Sequence, residues 1–355
     1  MKPFRPLTAT EQFAVHLRDL IESGALAGQM PGVHKLAKEL GVSPKTVVAA
    51  VAQLEHEGLI QNQGARRRCR ILPQTAKKSS GLRIGLLPYE RQDRLLPELN
   101  DMKHSLEAAG HDPFFTASAL CDIGMNLNKI ARFVGKNDAD AWVVSSGSNE
   151  VLHWFAEKST PAFAEFGRFT GVPIAGMGVR KIPAMTTAVR RLVELGHRRI
   201  VLIVREERRK PKPALFEQAF LDELESHGIA TGAYHLPEWK NSVADFHRCL
   251  DSLIEVTPPT AFFVCEAPLF AALQQHLALR GFVAPRDVSL ICDDPDRTFE
   301  WCDPPITHIR WDHRPIVNRI VRWANRIARG IDDRRQSFTI AEFAEGGTIG
   351  PAPDR

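Results

Sequence analysis

The sequence predicts two kinds of structure in one chain: a small α+β module at the N-terminus and a larger α/β body behind it. Residues 10–23 and 33–56 place apolar side chains at helical spacing, and a hairpin pattern follows at 59–72. From residue 82 onward, short apolar strands alternate with amphipathic helices, which is typical of a mostly parallel sheet covered on both faces. The polar run QTAKKSSG has no apolar anchor and reads as a linker. We therefore expect a first domain at 1–73, a linker at 74–81 and a second domain at 82–355.

Turn and capping residues place the elements of the first domain. The first helix is expected to have Thr10 as its cap and Gly24 as its end. A short second helix covers 33–40, and the third begins at Ser43, whose hydroxyl can cap the free amides ahead of Pro44. Four apolar residues then follow at one helical face and must point to the domain core: Val47, Ala50, Val51 and Leu54. A hairpin with its tip near Gly64 completes the module.

The two parts of the chain differ in charge. Residues 1–80 hold 12 Lys/Arg and 6 Asp/Glu, whereas the remainder holds 34 and 36. This asymmetry favours a polyanionic partner for the first domain only, although a solvated basic face is the alternative. A helix-turn-helix followed by a hairpin rich in arginine is a winged helix in outline, with the third helix in a major groove and the wing along the backbone. A small helical docking domain is the alternative to DNA binding. The expected DNA-contacting residues are His34, Lys35, Ser43, Lys45, Thr46, Val48, Ala49, Gln63, Arg66, Arg67 and Arg68.

Residues 10–72 resemble the winged-helix domain of GntR-type transcription regulators. The segments that carry the resemblance are IESGALAGQMPG, LAKELGVS and TVVAAVAQLEHEGLIQNQG. Three positions depart from the family pattern, because His34, Pro44 and Val48 stand where the family commonly has arginine. The resemblance therefore implies the fold and DNA binding, but not a familiar operator sequence. Of the outward residues of the third helix, only Lys45 is charged, so we expect Thr46, Val48 and Ala49 to fit the groove and contact thymine methyls.

The second domain contains more strands than one small sheet needs, so we expect two doubly wound lobes with a ligand at the carboxyl ends of the strands. The expected strands are 82–89, 112–117, 141–147, 161–166, 174–179, 200–204, 260–265 and 288–292, and the expected helices include 92–109, 122–135, 184–195, 214–227 and 268–281.

Several segments of 82–351 resemble the core of LacI-type repressors, which share the periplasmic-binding-protein-like fold. They are LVELGHRRIVLIV, PPTAFFV, RGFVAPRDVSLICDD, DPPITHIRWD and the tail RIARGIDDRRQSFTIAEFAEGGTIGP. The resemblance implies a two-lobed sensor that closes on a small molecule, usually a sugar, and a homodimer formed mainly through this domain. It thereby implies a cytoplasmic, metabolite-controlled transcription regulator, with repression as the default.

The site of this second domain departs from the family pattern. Phe216 matches the position of the family's effector-binding arginine, Glu266 and Ala267 replace Asn-Asp, and Arg180 replaces an Asp, while Asp294 matches the family's ligand-contacting acid. An ordinary hexose is therefore not assumed. Most candidates come from their position after strands, and two tryptophans come from their ability to stack on a sugar face. The expected effector-binding residues are Tyr89, Ser145, Ser146, Arg205, Trp239, Glu266, Asp294 and Trp311.

Motifs for other classes of protein are absent from the sequence. It contains no P-loop, no GxGxxG after a strand, no HExxH and no GxSxG. The acid run CDDPD could hold Mg²⁺ but is as readily a solvated loop, and the basic segment REERRKPKP reads as a loop at the cleft mouth or an anionic-effector site. We expect no enzyme activity, no metal and no cofactor.

The sequence has no signal peptide, no membrane span and no CxxC spacing among its six cysteines, which favours reduced thiols in a cytoplasm. Two alternatives remain at this stage. One is a small-molecule-binding protein or enzyme of α/β fold with a non-functional N-terminal domain, and the other is an effector-free DNA-binding protein.

Overall fold

The structure, a computed structural model, describes residues 9–22, 26, 28–56, 59–64, 68–71, 81–209 and 213–354. The chain divides into two compact units. One comprises Met1–Leu82 with Ala324–Ile331, and the other comprises Arg83–Trp323 with Asp332–Arg355. The predicted linker lies, except for Gly81, outside the described residues, so its bounds stay a prediction.

The first unit has the three helices and the hairpin that the sequence predicts. In chain order they are α1 (Ala9–Glu22), α2 (Val33–Glu39), α3 (Pro44–His56), β1 (Ile60–Gln61) and β2 (Arg70–Ile71). The two strands pair antiparallel. The expected cap of α1 is wrong, because that helix begins at Ala9 and Thr10 lies inside its first turn. The expected end at Gly24 falls outside the described residues.

Apolar side chains from all of these elements form the core of the first unit. Val47, Ala50 and Leu54 of α3 have no exposed surface and pack with Phe13 and Leu17 of α1. The core stripe predicted for α3 is therefore confirmed, with Val51 at its partly buried margin. Because this stripe is fixed inward, the residues between its members face outward.

The second unit alternates strands and helices as predicted. In chain order they are β3 (Arg83–Leu87), α4 (Pro97–Ala108), β4 (Asp112–Phe115), α5 (Leu127–Lys136), β5 (Ala141–Ser145), α6 (Asn149–Ala156), β6 (Ala162–Glu165), β7 (Ala175–Arg180), α7 (Ile182–Glu194), β8 (Ile200–Ile203), α8 (Leu215–Ser226), α9 (Val243–Val256), β9 (Ala261–Val264), α10 (Ala267–Ala278), β10 (Ser289–Cys292), β11 (His308–Arg310), α11 (Arg314–Ala328), β12 (Gln336–Ile340) and β13 (Glu342–Ala344).

One predicted helix is divided. The segment 92–109 forms a 3₁₀ helix at Arg91–Leu95 and then α4, which begins at Pro97. Leu96 between them is extended, with φ −64° and ψ 131°. A residue that precedes proline is pushed out of the helical region by the proline ring, so the helical pattern is interrupted at this point.

The strands form two sheets, one for each lobe of the second unit. The first lobe has the order β12-β7-β6-β5-β3-β4, and all its neighbours are parallel. The second lobe has the order β13-β11-β10-β9-β8, in which only the β13–β11 pair is antiparallel. This confirms the prediction of two lobes built on mostly parallel sheets.

Helices cover both faces of each sheet. In the first lobe, Trp142 packs toward Phe155 of α6, whereas Phe163 packs against Trp323 of α11. In the second lobe, the adjacent residues Phe262 and Phe263 belong to different hydrophobic clusters, one on each side of the sheet. Successive strand residues point to opposite faces, so a run of buried apolar residues is what a doubly covered strand requires.

Three chain segments connect the two lobes. Lys181 joins β7 of the first sheet to α7, which packs on the second lobe, and residues 311–313 join β11 to α11. The third segment is Ala341 alone, between β12 and β13. Each of these three segments, called crossings below, follows the carboxyl end of a strand. The carboxyl edges of the two sheets therefore lie on either side of one cleft.

Candidate functional site

The outward face of α3 carries several of the residues predicted to contact DNA bases. Lys45, Val48 and Ala49 are exposed, and Val48 has 54% of its surface in solvent. Ser43 caps the helix as predicted, because its hydroxyl accepts a hydrogen bond from the Thr46 amide at 3.1 Å. The Ser43 and Thr46 hydroxyls are also hydrogen-bonded, 2.8 Å apart. A surface of this kind can fit a groove through its methyl groups while contributing a single positive charge.

The remaining predicted DNA contacts lie on α2 and the hairpin. His34 and Lys35 are exposed on α2, where Lys35 Nζ lies 3.7 Å from Glu39. Gln63 and Arg68 are exposed as well, whereas Arg66 and Arg67 fall outside the described residues. Near the expected hairpin tip, Gly64 has φ +96° and donates its amide to the Asn62 side chain. Glycine tolerates this left-handed conformation because it has no Cβ.

In the second unit, polar and charged side chains follow the strands of both lobes at the cleft. The first lobe contributes Tyr89 and Glu90 after β3, Ser145 and Ser146 at the end of β5, and Glu165 at the end of β6. The second lobe contributes Arg205 after β8, Glu266 after β9, Asp293 and Asp294 after β10, and Trp311 after β11. Ligands of open α/β sheets bind at such carboxyl edges, so this is the candidate effector site.

Arg205 connects the two lobes directly. Its guanidinium forms ion pairs with Glu90 of the first lobe and, at 2.9 Å, with Glu266 of the second. All three side chains have 15% or less of their surface exposed. Glu266 has φ +84°, an uncommon conformation for a residue with a side chain. Three of the charges at the cleft are therefore already paired with one another.

Lys181 forms a second charged cluster at the same edge. Its ammonium lies 2.6 Å from Asp294 Oδ1 and 2.9 Å from Asp293 Oδ2. It also lies 4.3 Å from the centroid of the Trp311 ring. Burial lowers the pKa of Lys181, but the two carboxylates raise it more, so the pKa is raised and the ammonium stays charged.

Glu165, the last residue of β6, lies at the same carboxyl edge and is fully buried. The Ser145 hydroxyl donates to its Oε2 at 2.5 Å, and His313 Nε2 lies 3.6 Å from its Oε1. Burial raises the pKa of Glu165 to about 7, against the opposing effect of the Ser145 hydrogen bond. Burial lowers the pKa of His313 despite nearby carboxylates, so this imidazole is neutral at pH 7.

Several described residues of two charged segments considered in the sequence are held by structural contacts. Asp293 and Asp294 of the acid run bind Lys181, and Asp296 caps the next 3₁₀ helix through the Thr298 amide. In the basic segment, Arg209 is buried against Glu217 at 2.8 Å. Among the described residues, no group of His, Cys, Asp and Glu could hold a metal ion.

Two family models match separate parts of the chain. Residues 9–68 match the model of bacterial regulatory proteins of the gntR family, and residues 189–348 match the periplasmic binding protein-like domain. The chain thus contains a gntR-type regulatory domain and a periplasmic binding protein-like domain. A search among curated proteins found no match.

Several solved structures of transcriptional regulators, LacI-type proteins among them, have a similar fold. A LacI family regulator from Enterococcus faecium with bound ribose has TM-score 0.62 and 17% identity, over 76% of this chain and 99% of that one. A periplasmic binding protein/LacI transcriptional regulator from Alkaliphilus metalliredigens, complexed with D-xylulofuranose, has TM-score 0.61 and 17% identity over 75% and 98%. The regulator CelR in complex with cellobiose has TM-score 0.62 and 16% identity over 90% and 100%. At these identities the likeness establishes the two-lobed fold.

The matched families are regulatory and binding domains, so the comparisons point to a regulator rather than an enzyme. In the described part of the regulator, no helix is long and apolar enough to cross a membrane. None of the six cysteines forms a disulfide bond.

The cleft of the regulator brings together most of the predicted effector residues. Arg205, Glu266, Asp294 and Trp311 take part in the two ion-pair clusters, and Ser145 binds Glu165. Ser146 lies at the same edge, where its amide donates to the Glu165 carbonyl. Tyr89 also follows a strand at this edge, but its side chain is 7% exposed and packs in the hydrophobic core of the first lobe, which corrects the prediction for this residue.

The structure also corrects the prediction for Trp239. Its side chain is 7% exposed and packs in the hydrophobic core of the second lobe, with its ring 5.2 Å from that of Phe246. It is therefore a core residue and not a stacking platform. Phe216, at the family's arginine position, likewise packs on that lobe's other core cluster.

Sequence reasoning missed three residues of the cleft: Glu165, Lys181 and His313. Glu165 is the last residue but one of the predicted strand 161–166, and Lys181 stands between a predicted strand and a predicted helix. Both positions carry a usable signal, because the carboxyl ends of parallel strands gather at one edge. His313 gave no such signal, since the segment that holds it follows a three-residue strand.

Proposed function

We propose that this regulator binds an operator in double-stranded DNA through α3 and the hairpin, as one half of a homodimer. We further propose that a small carbohydrate-like effector binds in the cleft between the lobes and changes the affinity for DNA. The observation that carries this proposal is the pairing, in one chain, of a gntR-type domain with a two-lobed domain whose cleft is lined by polar and charged side chains.

In DNA binding, α3 and the hairpin contribute in different ways. The outward face of α3 is small and mostly apolar, which suits close contact with the floor of the major groove. The hairpin carries the arginines that suit phosphate, because a guanidinium forms charge-assisted and often bidentate hydrogen bonds with it. Affinity then depends on the wing and on the second copy of the domain, while α3 contributes sequence preference.

On the effector side, the similar regulators from Enterococcus faecium and Alkaliphilus metalliredigens and the CelR complex hold ribose, D-xylulofuranose and cellobiose. The cleft of this chain offers Arg205, Glu266, Asp294 and Ser146 at the carboxyl edges of its strands. A ligand that binds one arrangement of the lobes more tightly shifts the equilibrium by its difference in affinity. Repression that the ligand relieves is the simplest version of this control.

The dimer follows from the geometry of DNA. Two half-sites related by a two-fold axis need a protein with the same symmetry. A cytoplasmic location agrees with six cysteines that form no disulfide bond and with a partner that is genomic DNA.

Fluorescence anisotropy on labelled duplex DNA, titrated with salt, tests the proposal. We expect wild-type protein to bind at low salt, and replacement of Arg66, Arg67 and Arg68 by Ala to weaken binding to all sequences. The slope of log K against log salt should flatten by up to about three, because each lost phosphate contact removes about one released counterion. Lys136→Ala, which removes an exposed charge from α5, serves as the control and should leave the slope unchanged. Absence of binding by wild-type protein at low salt would contradict the proposal.

A further inference from the structure

The surroundings of Lys181 Nζ form a binding site for an ammonium group. Two carboxylates approach it at 2.6 and 2.9 Å, the Asp293 carbonyl lies at 3.3 Å, and the face of Trp311 lies 4.3 Å away. Carboxylates and an indole face together are the groups that recognise an alkylammonium ion, through charge-assisted hydrogen bonds and cation–π attraction. Because the lysine ammonium covers this face of Trp311, a sugar ring cannot stack there while Lys181 stays in place.

Lys181 lies in one of the segments that connect the two lobes. All of its partners belong to the second lobe, since Asp293 and Asp294 follow β10 and Trp311 follows β11. Lys181 itself is the single residue between β7 of the first lobe and α7. Its ammonium is therefore attached to one of the three crossings between the lobes and inserted into a site made by the second lobe.

The charge of the cleft favours a cation as well. Its two ion-pair clusters hold the carboxylates of Glu90, Glu266, Asp293 and Asp294 against the cations of Lys181 and Arg205. Glu165 provides an independent observation, because it is fully buried and its Oε1 has no hydrogen-bond partner. A buried carboxylate oxygen in this state favours a ligand that brings a donor.

We propose that the effector carries a protonated primary amine, as an amino sugar does, and that this amine takes the place of the Lys181 ammonium between Asp293 and Asp294 and against Trp311. The inference rests on the proposed function of the cleft and specifies its ligand class. Lys181 is then a tethered competitor, and its displacement links occupancy of the site to the β7–α7 crossing. Neutral and acidic sugars lack the group that can make this exchange.

The decisive variant is Lys181→Met, which removes the ammonium and keeps a stem of similar length. The probe is methylammonium chloride, compared with sodium chloride at equal ionic strength, and the readout is the melting temperature of the full chain. We expect methylammonium to stabilise Lys181→Met in a saturable way, with an apparent affinity at least about tenfold higher than for wild type, because the tethered competitor is gone. Lys181→Arg keeps a cation and should behave as wild type. Lys103→Met removes a lysine that pairs with Glu107 on α4 and should show no gain.

The inference is overturned if methylammonium stabilises folded Lys181→Met no more than it stabilises Lys103→Met. A second measurement needs no variant and covers the case in which Lys181→Met does not fold. Wild-type protein is titrated calorimetrically with glucose and glucosamine, galactose and galactosamine, and mannose and mannosamine. Tighter binding of an amino sugar than of its neutral counterpart supports the inference. Equal or tighter binding of the neutral member, or no binding in any pair, overturns it.

These results separate the inference from the function on which it rests. If a neutral sugar releases the protein from DNA, the proposed regulatory function stands and the proposed amine specificity is wrong. If Lys181→Met binds methylammonium in a saturable way but the wild-type protein never binds DNA, the ammonium site is supported and the proposed regulatory function is wrong.

Discussion

The buried carboxyl of Glu165 predicts a pH dependence of stability that one substitution removes. Its pKa is raised from 4.5 to about 7, mainly by burial. In the unfolded chain the same carboxyl has its ordinary pKa, so between these two values the native state holds a proton that the unfolded state has lost. The stabilising contribution of this proton is complete below pH 4.5 and is lost as the pH rises through about 7.

The size of the effect follows from the shift. An interval of about 2.5 pH units, at about 1.4 kcal/mol per unit, corresponds to about 3 kcal/mol of unfolding free energy. Glu165→Gln keeps the shape of the side chain and an oxygen that can accept from Ser145, but has no charge to desolvate. We therefore expect the stability of this variant relative to wild type to rise by about 3 kcal/mol between pH 4.5 and pH 8.

Urea unfolding followed by tryptophan fluorescence measures this difference. All six tryptophans lie between residues 142 and 323, so the signal reports the second unit. Glu157→Gln, on the exposed end of α6, is the matched control and should follow wild type at every pH. A free-energy difference between Glu165→Gln and wild type that stays constant from pH 5 to pH 8 would refute the reasoning.

Three further predictions concern separate parts of the chain. Asp333→Ala should lower the unfolding free energy by about 3–5 kcal/mol in the same urea assay, because it leaves the buried Arg319 guanidinium, 3.0 Å away, without its partner; a loss below 1 kcal/mol would contradict this. Gly85→Ala should cost about 1–3 kcal/mol, since the added Cβ would lie 2.5 Å from the buried ring of Trp142, and an unchanged urea midpoint would show that the ring can move. Val48→Ser, at an exposed site on α3, should alter the preferred base sequence in a randomised-operator selection more than the affinity for random duplex; identical selected sequences would count against a reading role.

The sequence was informative where physical constraints are local. Ser43 and Pro44 determine where α3 begins, and its apolar stripe determines which face is buried. Strands buried on both faces appear as continuous apolar runs, so β5, β8 and β9 were recognisable without any tertiary information. The break at Leu96 was missed because the helical pattern of apolar residues continues across Pro97.

The site was harder to predict, because no sequence pattern shows which charged side chains form ion pairs with one another across the cleft. Arg205 and Glu90 are 115 positions apart, and Lys181 and Asp294 are 113 apart. Position after a strand identified Arg205, Glu266 and Asp294 as candidates but could not show that they are paired with other side chains. Trp239 was misassigned because a tryptophan in a polar sequence context can be core or surface, and only packing decides between them.

The central claim is that one metabolite, bound in the cleft, controls contact with one DNA sequence. Footprinting on the DNA upstream of the protein's own gene tests it, with and without the compound that most raises the melting temperature in a screen of neutral sugars, sugar phosphates, sugar acids and amino sugars. We predict a protected segment with two half-sites about ten base pairs apart, or a multiple of that spacing, whose protection changes when the compound is added. No protected segment at any protein concentration, or a segment that the stabilising compound leaves unchanged, would contradict the account.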